Sequence, residues 1–339
     1  MKAKRESPIN RERHKLEEVL PLRTPYAMDI DPCNLCNFRC RFCAMQSSEE
    51  SLNFKKQMMQ MPLFKKVIDD ITEFPEKLKI LHLANYGEPL LHPDFPEMVR
   101  YAKKKDVSEL VATVTNGSKL NPELNQALID SGLDRIRISV EAVSEEGYLE
   151  IAGAKIDLEQ FAANIRDLHG RSLKAGGSCE IYVKTVDVAV ETKEKQERFY
   201  QLFEEACDRI FIDCVTPIWA GWEEINERFD IKKIGSHKQE WQRVRVCPYP
   251  FYNLCVTPDG IVNACCADWK RELALGDLKE QSLVEIWNGE NLRRFWMDML
   301  SGHKDQYPIC ESCQYPMYNC NDNIDSYAEV LLQKFQAKG

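Results

Sequence analysis

No stretch of this 339-residue chain is apolar for long enough to span a membrane. Its first residues are charged and lack the apolar core of an export signal. It has no internal repeat, no low-complexity segment and no basic stripe. Its 45 Lys and Arg are outnumbered by 54 Asp and Glu, for a net charge of −9. That balance argues against a nucleic-acid backbone as partner. Together these absences lead us to expect a cytoplasmic protein bound to neither membrane nor nucleic acid. The one basic stretch, Lys2 to Lys15, is mixed with Glu and reads as a solvated arm. Hydrophobic content of 44% and charged content of 29% suit a globular enzyme. The length suits one large domain plus a smaller one.

Cysteine is what the chain has in excess, with fourteen residues. A reducing compartment disfavours a disulfide framework, so this many thiols point to metal and to more than one cluster. Cys36, Cys40 and Cys43 form a C-x3-C-x2-C run. Three thiolates so close can hold three irons of a [4Fe–4S] cluster. No fourth ligand stands nearby in register, which leaves one iron free to bind a small molecule. Zinc is the alternative occupant, although zinc sites usually pair C-x2-C with a second Cys or His pair. Cys33 reads as a spare thiol.

From about residue 26, short β runs alternate with amphipathic helical stretches. The expected strands are Ala27–Ile30, Lys79–Leu83, Leu110–Val114, Arg135–Val140, Glu180–Val186 and Arg209–Cys214. The expected helices are Pro62–Ile71, Phe95–Lys104, Pro122–Ser131, Leu158–Leu173 and Lys193–Cys207. This order implies βαβ units and a parallel sheet. Six units are too few for a closed eight-stranded barrel. In parallel α/β barrels the chemistry gathers at the C-terminal ends of the strands, and the cysteine triad follows the first strand. After about residue 215 the alternation stops and a Trp-, Cys- and Pro-rich segment begins.

The cysteine run, with Asn37, Phe38 and Phe42 in its gaps, resembles the signature of the radical S-adenosylmethionine (radical SAM) superfamily. That resemblance implies an α/β fold: an open, partial (β/α)6 TIM-like barrel with a small C-terminal Cys-rich iron–sulfur domain of the SPASM/twitch type. It implies S-adenosylmethionine (SAM) and [4Fe–4S] clusters as cofactors. Gly87-Glu88-Pro89 resembles the family's Gly-Glu-Pro motif, which binds the cofactor's methionine moiety, with Tyr86 in the place of a preceding Gly. Asn116, in Thr115-Asn116-Gly117, stands where the family often carries the same three residues. Ser139 and Glu141 stand near the expected ribose, and being two apart on one strand they share a face. Phe42 completes the expected cofactor contacts. Ala152 stands where relatives carry an Arg that reaches the cofactor carboxylate, and Lys155 or Lys184 is the replacement charge.

The second cysteine region resembles a SPASM/twitch domain. Cys247, Cys265, Cys310 and Cys313 are its expected ligands for one auxiliary [4Fe–4S] cluster, with Cys266 as a substitute for Cys265. The spacing from 247 to 265 resembles that of an aminocyclitol dehydrogenase. The Leu275-Gly276-Asp277 and Glu285-Ile286-Trp287 segments match the helix that usually follows. Zinc on the same four residues is the alternative. The expected organisation is an N-terminal arm over 1–25, a barrel over 26–214, a linker with a helix over 215–246, the auxiliary-cluster domain over 247–325 and a C-terminal helix over 326–339.

Cys214, ending the sixth expected strand, is a candidate catalytic hydrogen donor, with Cys255, Cys266 and Cys320 as rivals. Trp219, Trp222 and Trp241 are expected to pack the domain junction. The implied reaction begins with reductive cleavage of SAM to a 5′-deoxyadenosyl radical, which takes a hydrogen atom from a substrate C–H bond. The expected outcome is dehydrogenation or epimerisation of a small carbohydrate- or aminocyclitol-like substrate. A short N-terminal extension disfavours a precursor peptide, which is the second expectation. A non-catalytic iron–sulfur or zinc protein is the third. The expected electron donor is a flavodoxin- or ferredoxin-type protein.

Overall fold

A computed structural model describes residues 2–7, 14–48, 52, 54–220, 222, 225, 228–235, 238–319 and 322–337. A short helix α1 (Leu16–Val19) leads into β1 (Ala27–Ile30). Five helix–strand steps follow: α2 (Met61–Ile71) to β2 (Ile80–Leu83), α3 (Phe95–Lys105) to β3 (Val111–Thr115) and α4 (Pro122–Asp130) to β4 (Arg135–Ser139). Then α5 (Glu145–Ala152) and α6 (Leu158–Lys174) lead to β5 (Glu180–Val186), and α7 (Lys193–Phe203) to β6 (Arg209–Asp213). Strands β1 to β6 pair in parallel in sequential order and do not close, which is a partial barrel.

The strands alternate as parallel strands under helices must. In β4, Ile136 and Ile138 are fully buried against the helices, while Arg135, Arg137 and Ser139 are partly exposed on the other face. Each fully buried aliphatic side chain contributes about 1.5–3 kcal/mol. The helices start where the local chemistry says they should. Asn121, Ser144, Asp157 and Thr192 each cap a helix N-terminus with a side-chain oxygen. Helix α5 was not among the expected helices. It ends at Gly153, whose φ of +60° suits glycine.

The sheet does not stop at the sixth strand. β7 (Asn253–Val256) pairs in parallel with β1 on its open side, and β8 (Ile261–Asn263) and β9 (Ala274–Asp277) extend the sheet antiparallel to nine strands. Leu275-Gly276-Asp277 is therefore strand, where a helix was expected; the helix begins only at α8 (Leu283–Trp287), behind a Ser282–Glu285 capping box. Helices α9 (Glu290–Leu300), α10 (Pro308–Glu311), α11 (Tyr315–Asn319) and α12 (Ala328–Ala337) complete the chain. The N-terminal stretch also departs from a solvated arm. Ala3 N donates to Glu204 O, Lys4 N to Asp208 O and Ile210 N to Lys4 O, so these residues lie along the outer edge of β6. Among the described residues no helix is long and apolar enough to cross a membrane.

Candidate active site

The three clustered cysteines sit on the loop after β1, and that loop is locked to the one after β2. Glu88 N donates to Leu35 O at 2.7 Å. A Cβ on Gly87 would lie 2.0 Å from Cys33 O and 2.5 Å from Leu35 O, so no other residue lets the two backbones meet. Glu88 is 2% exposed, and its carboxylate accepts from Leu90 N, Thr115 Oγ1 and Asn116 N at 2.9, 2.6 and 2.6 Å. Burial outweighs these donors and pushes the carboxyl up to about 7. Glu88 thus fastens the β2 loop to the end of β3, and the buried Pro89 opens a 3-10 turn directly after it. Asn116, placed by this contact, donates through Nδ2 to Asn37 Oδ1 at 2.9 Å and to Cys36 Sγ at 3.9 Å. Phe38 N also donates to Cys36 Sγ, at 3.4 Å.

The three thiols lie within electrostatic reach of one another. Burial pushes all of them up, Cys43 to about 12; the charge of Cys36 adds to the shifts of Cys40 and Cys43, and that of Cys43 to the shift of Cys40. Glu141, buried beyond the end of β4, belongs to the same group, because its charge acts on all three. Lys184 of β5 offsets both Glu141 and Cys40. Its strand neighbour in the β4–β5 register is Ser139. Among the described residues no three His, Cys, Asp or Glu side chains come together tightly enough to hold a single metal ion. A cubane cluster puts each thiolate on its own iron, so its ligands stand farther apart. Three thiols within electrostatic reach of one another, with hydrogen-bond donors to Cys36, fit such a cluster.

The other expected residues fall in several places. Phe42 is half-buried, packs at 6.3 Å from Phe229, and accepts from Trp219 Nε1 through its carbonyl at 3.1 Å. Lys155 lines a separate groove with Asn37 and Ser118, so of the two candidate lysines it is Lys184 that stands beside the cysteines. Cys33 is buried and donates to Leu35 O. Cys214 follows β6, where burial and Asp187 push its thiol up.

Cys247, Cys265, Cys310 and Cys313 line one small cavity, together with apolar side chains such as Leu273, Phe295 and Met299. The β7–β8 hairpin turns at Gly260, whose φ is +93°, and this reversal carries Cys265 back beside Cys247. Burial pushes Cys310 up to about 12 and Cys313 to about 11. Cys266 does not share this cavity. Its thiol interacts with those of Cys265 and Cys255, hydrogen-bonds to Tyr315 Oη at 3.9 Å, and lines the barrel lumen. The rival Cys255 is buried in β7, its Sγ donating to Asp29 Oδ2 at 3.6 Å. Cys320 lies outside the described residues.

A cavity of about 530 Å³ occupies that lumen. Asp29, His82, Arg135, Arg137 and Tyr182 form its wall from β1, β2, β4 and β5. Tyr249, Tyr252, Asn253, Cys266 and Tyr315 close it from the C-terminal segment. Trp219, expected only to pack a junction, also lines it. Asp29 accepts from Asn253 Nδ2 at 2.8 Å and sits 2.9 Å from His82 Nδ1. Sequence reasoning did not find this cavity, because polar residues on a strand's inner face read as solvent-facing.

The profile of the radical SAM superfamily matches residues 30–212, and that of an iron-sulfur cluster-binding domain, SPASM, matches residues 247–314. A tungsten-containing aldehyde ferredoxin oxidoreductase cofactor-modifying protein of Pyrococcus furiosus is 26% identical over 316 residues, covering 82% of this chain and 84% of that protein. A probable GTP 3′,8-cyclase of Methanococcus maripaludis is 32% identical, but over only 36% of this chain and 39% of its own length. Among solved structures, BtrN in complex with AdoMet and 2-DOIA matches with a TM-score of 0.54 at 18% identity, over 85% of this chain and 92% of that one. Streptococcus suis SuiB bound to precursor peptide SuiA matches at 0.60 and 11% identity, over 90% and 77%. At these identities the two structures share the fold.

Proposed function

The chain belongs to the radical SAM superfamily, with SAM and [4Fe–4S] clusters as cofactors, and we propose that it oxidises or epimerises a small polar molecule held in the barrel lumen. When bound, the cluster and SAM would supply reductive cleavage of SAM and abstraction of a hydrogen atom from a substrate C–H bond. The chain's own residues prepare for it. Cys36, Cys40 and Cys43 hold the cluster, and Asn116 and the Phe38 amide donate to the Cys36 sulfur. Gly87, Glu88 and Pro89 fix the loop that meets the cluster loop. Ser139, Glu141 and Phe42 flank the cofactor, and Lys184 takes the place of the Arg missing at Ala152. Cys247, Cys265, Cys310 and Cys313 hold one auxiliary cluster, and a flavodoxin- or ferredoxin-type protein delivers the electrons.

One observation carries the substrate class. The lumen cavity, about 530 Å³, is walled on one side by barrel strands and on the other by the C-terminal segment. That volume suits a small molecule. The Pyrococcus furiosus relative, by its name, modifies a cofactor, which is consistent with a small-molecule substrate. Oxidation is the first reading, since an auxiliary cluster beside the lumen can accept the second electron from a substrate radical. Epimerisation is the second, favoured by the Cys266 thiol in the cavity wall, with Cys214 as the other candidate donor.

Anaerobic reconstitution with iron and sulfide, followed by dithionite and SAM, tests the reading. The expected result is 5′-deoxyadenosine and about eight irons per chain. About one zinc, no iron and no 5′-deoxyadenosine would overturn it. Cys310→Ala should bring iron down to about four per chain; iron that stays near eight refutes the auxiliary ligand set. Turnover in heavy water separates the reactions, because a donor thiol delivers deuterium to the product carbon and oxidation does not. Loss of that deuterium in Cys266→Ala or in Cys214→Ala identifies the donor.

A further inference from the structure

The barrel lumen contains a guanidinium, that of Arg137, with no ion pair among the described residues. Arg135 and Arg137 stand two apart on β4 and face the cavity together. Arg135 is satisfied: its Nε and Nη2 donate to Glu180 Oε2 at 2.9 and 2.6 Å, and its guanidinium lies 5.0 Å from the Tyr182 ring centroid. Arg137 is not, for its Nε is buried with no hydrogen-bond partner among the described residues. The carboxylate lining the same cavity, Asp29 of β1, is already engaged by His82, Asn253 and Cys255. Asn253 of the C-terminal wall, 4% exposed, has no partner for its Oδ1 among the described residues.

Arg137 is only partly buried, but leaving a buried N–H of its guanidinium without an acceptor is unfavourable. Its planar fork matches phosphate or carboxylate oxygens in a bidentate pair. We infer that the substrate of the lumen carries an anionic group, a phosphate or a carboxylate, that pairs with Arg137, and a hydroxyl or amino group that donates to Asn253 Oδ1. This rests on the reading of the lumen as the substrate site. It narrows the substrate from a small polar molecule to a small acid or phosphate ester.

Calorimetric titration of the reconstituted, SAM-saturated holoenzyme tests the inference, with inorganic pyrophosphate in one arm and succinate in the other. We expect saturable binding of one anion per chain in at least one arm, and that arm names the group. Arg137→Gln should weaken it by about tenfold or more, equivalent to about 1.4 kcal/mol. Arg100→Gln, at an exposed helix position paired with Glu97, should leave it unchanged. Arg137→Lys keeps the charge without the fork and should weaken binding by about threefold; it decides the matter if the Gln variant does not fold. No binding in either arm, or wild-type affinity in the Arg137 variants, overturns the inference. So does an Arg137→Gln effect confined to SAM affinity, since Arg137 would then serve the cofactor. Formation of 5′-deoxyadenosine by the wild-type enzyme is measured separately. Its absence would remove the radical reading and leave the anion site standing, whereas absent anion binding would do the reverse.

Discussion

At Gly87 the two loops that build the cysteine site meet backbone to backbone, with Cys33 O at 2.0 Å from where a Cβ would stand. Gly87→Ala must push the loops apart, at a cost of about 3 kcal/mol. The expected outcome is a lower melting temperature and less iron retained after reconstitution, read by thermal melts and iron assay. Asp31, under the same loop, sets a pH dependence. Burial pushes its carboxyl from 3.8 up to about 7, against the amides of Tyr86, Gly87 and Cys33. The folded form therefore keeps a proton that the unfolded chain has released above about pH 4. Its contribution to stability is complete below that pH and is lost as pH rises through about 7, on the order of 4 kcal/mol in all. Glu88, also raised to about 7, acts with the same sign. Melting temperature should fall from pH 5 to pH 8, and Asp31→Asn should flatten that slope; an unchanged slope refutes the assignment. Gly87 and Glu88 were legible in the sequence because a motif carries them. Arg137 was not, because an alternating polar residue looks the same whether its strand faces water or a lumen.

Among the elements, the buried parallel strands were the most legible. Each of the six expected strands lies within one residue of its observed bounds at either end, because continuous apolar faces leave little choice of register. Strand β9 was missed for the opposite reason. Within Ala274–Asp277 only Leu275 is a large apolar residue, and the segment is a strand because β8 offers it an edge. The N-terminal stretch was misread in the same way. Its charge pattern suggests solvent, yet residues 3 and 4 form backbone hydrogen bonds along β6, Arg5 pairs with Glu204, and its guanidinium lies 4.0 Å from the Tyr200 ring centroid. Removing residues 1–7 would uncover the β6 edge and three backbone hydrogen bonds, each contributing about 1 kcal/mol. The expected result is a melting temperature lower by several degrees, together with concentration-dependent association in sedimentation as exposed edges pair. A monomer with unchanged melting temperature would show that the contact is incidental.

For the whole molecule, the pairing of β1 with β7 decides the architecture. A barrel ending at residue 214 would leave the hydrogen-bonding edge of β1 open, and the C-terminal segment closes it over Ala27–Ile30. A chain ending at residue 246 should therefore be insoluble or fail to melt cooperatively, as followed by circular dichroism and sedimentation. A soluble, cooperatively melting truncation would mean that the barrel stands without its extension. The sequence pattern suggested two consecutive units, since alternation stops near residue 215, and it had no means of signalling that a later strand returns to the first. That return also brings Cys265 to the four-cysteine cavity and its neighbour Cys266 to the lumen wall, with their two thiols in contact. A single peptide linkage separates the two compartments. The proposed auxiliary cluster, bound at Cys265, would therefore lie one residue from the wall of the lumen.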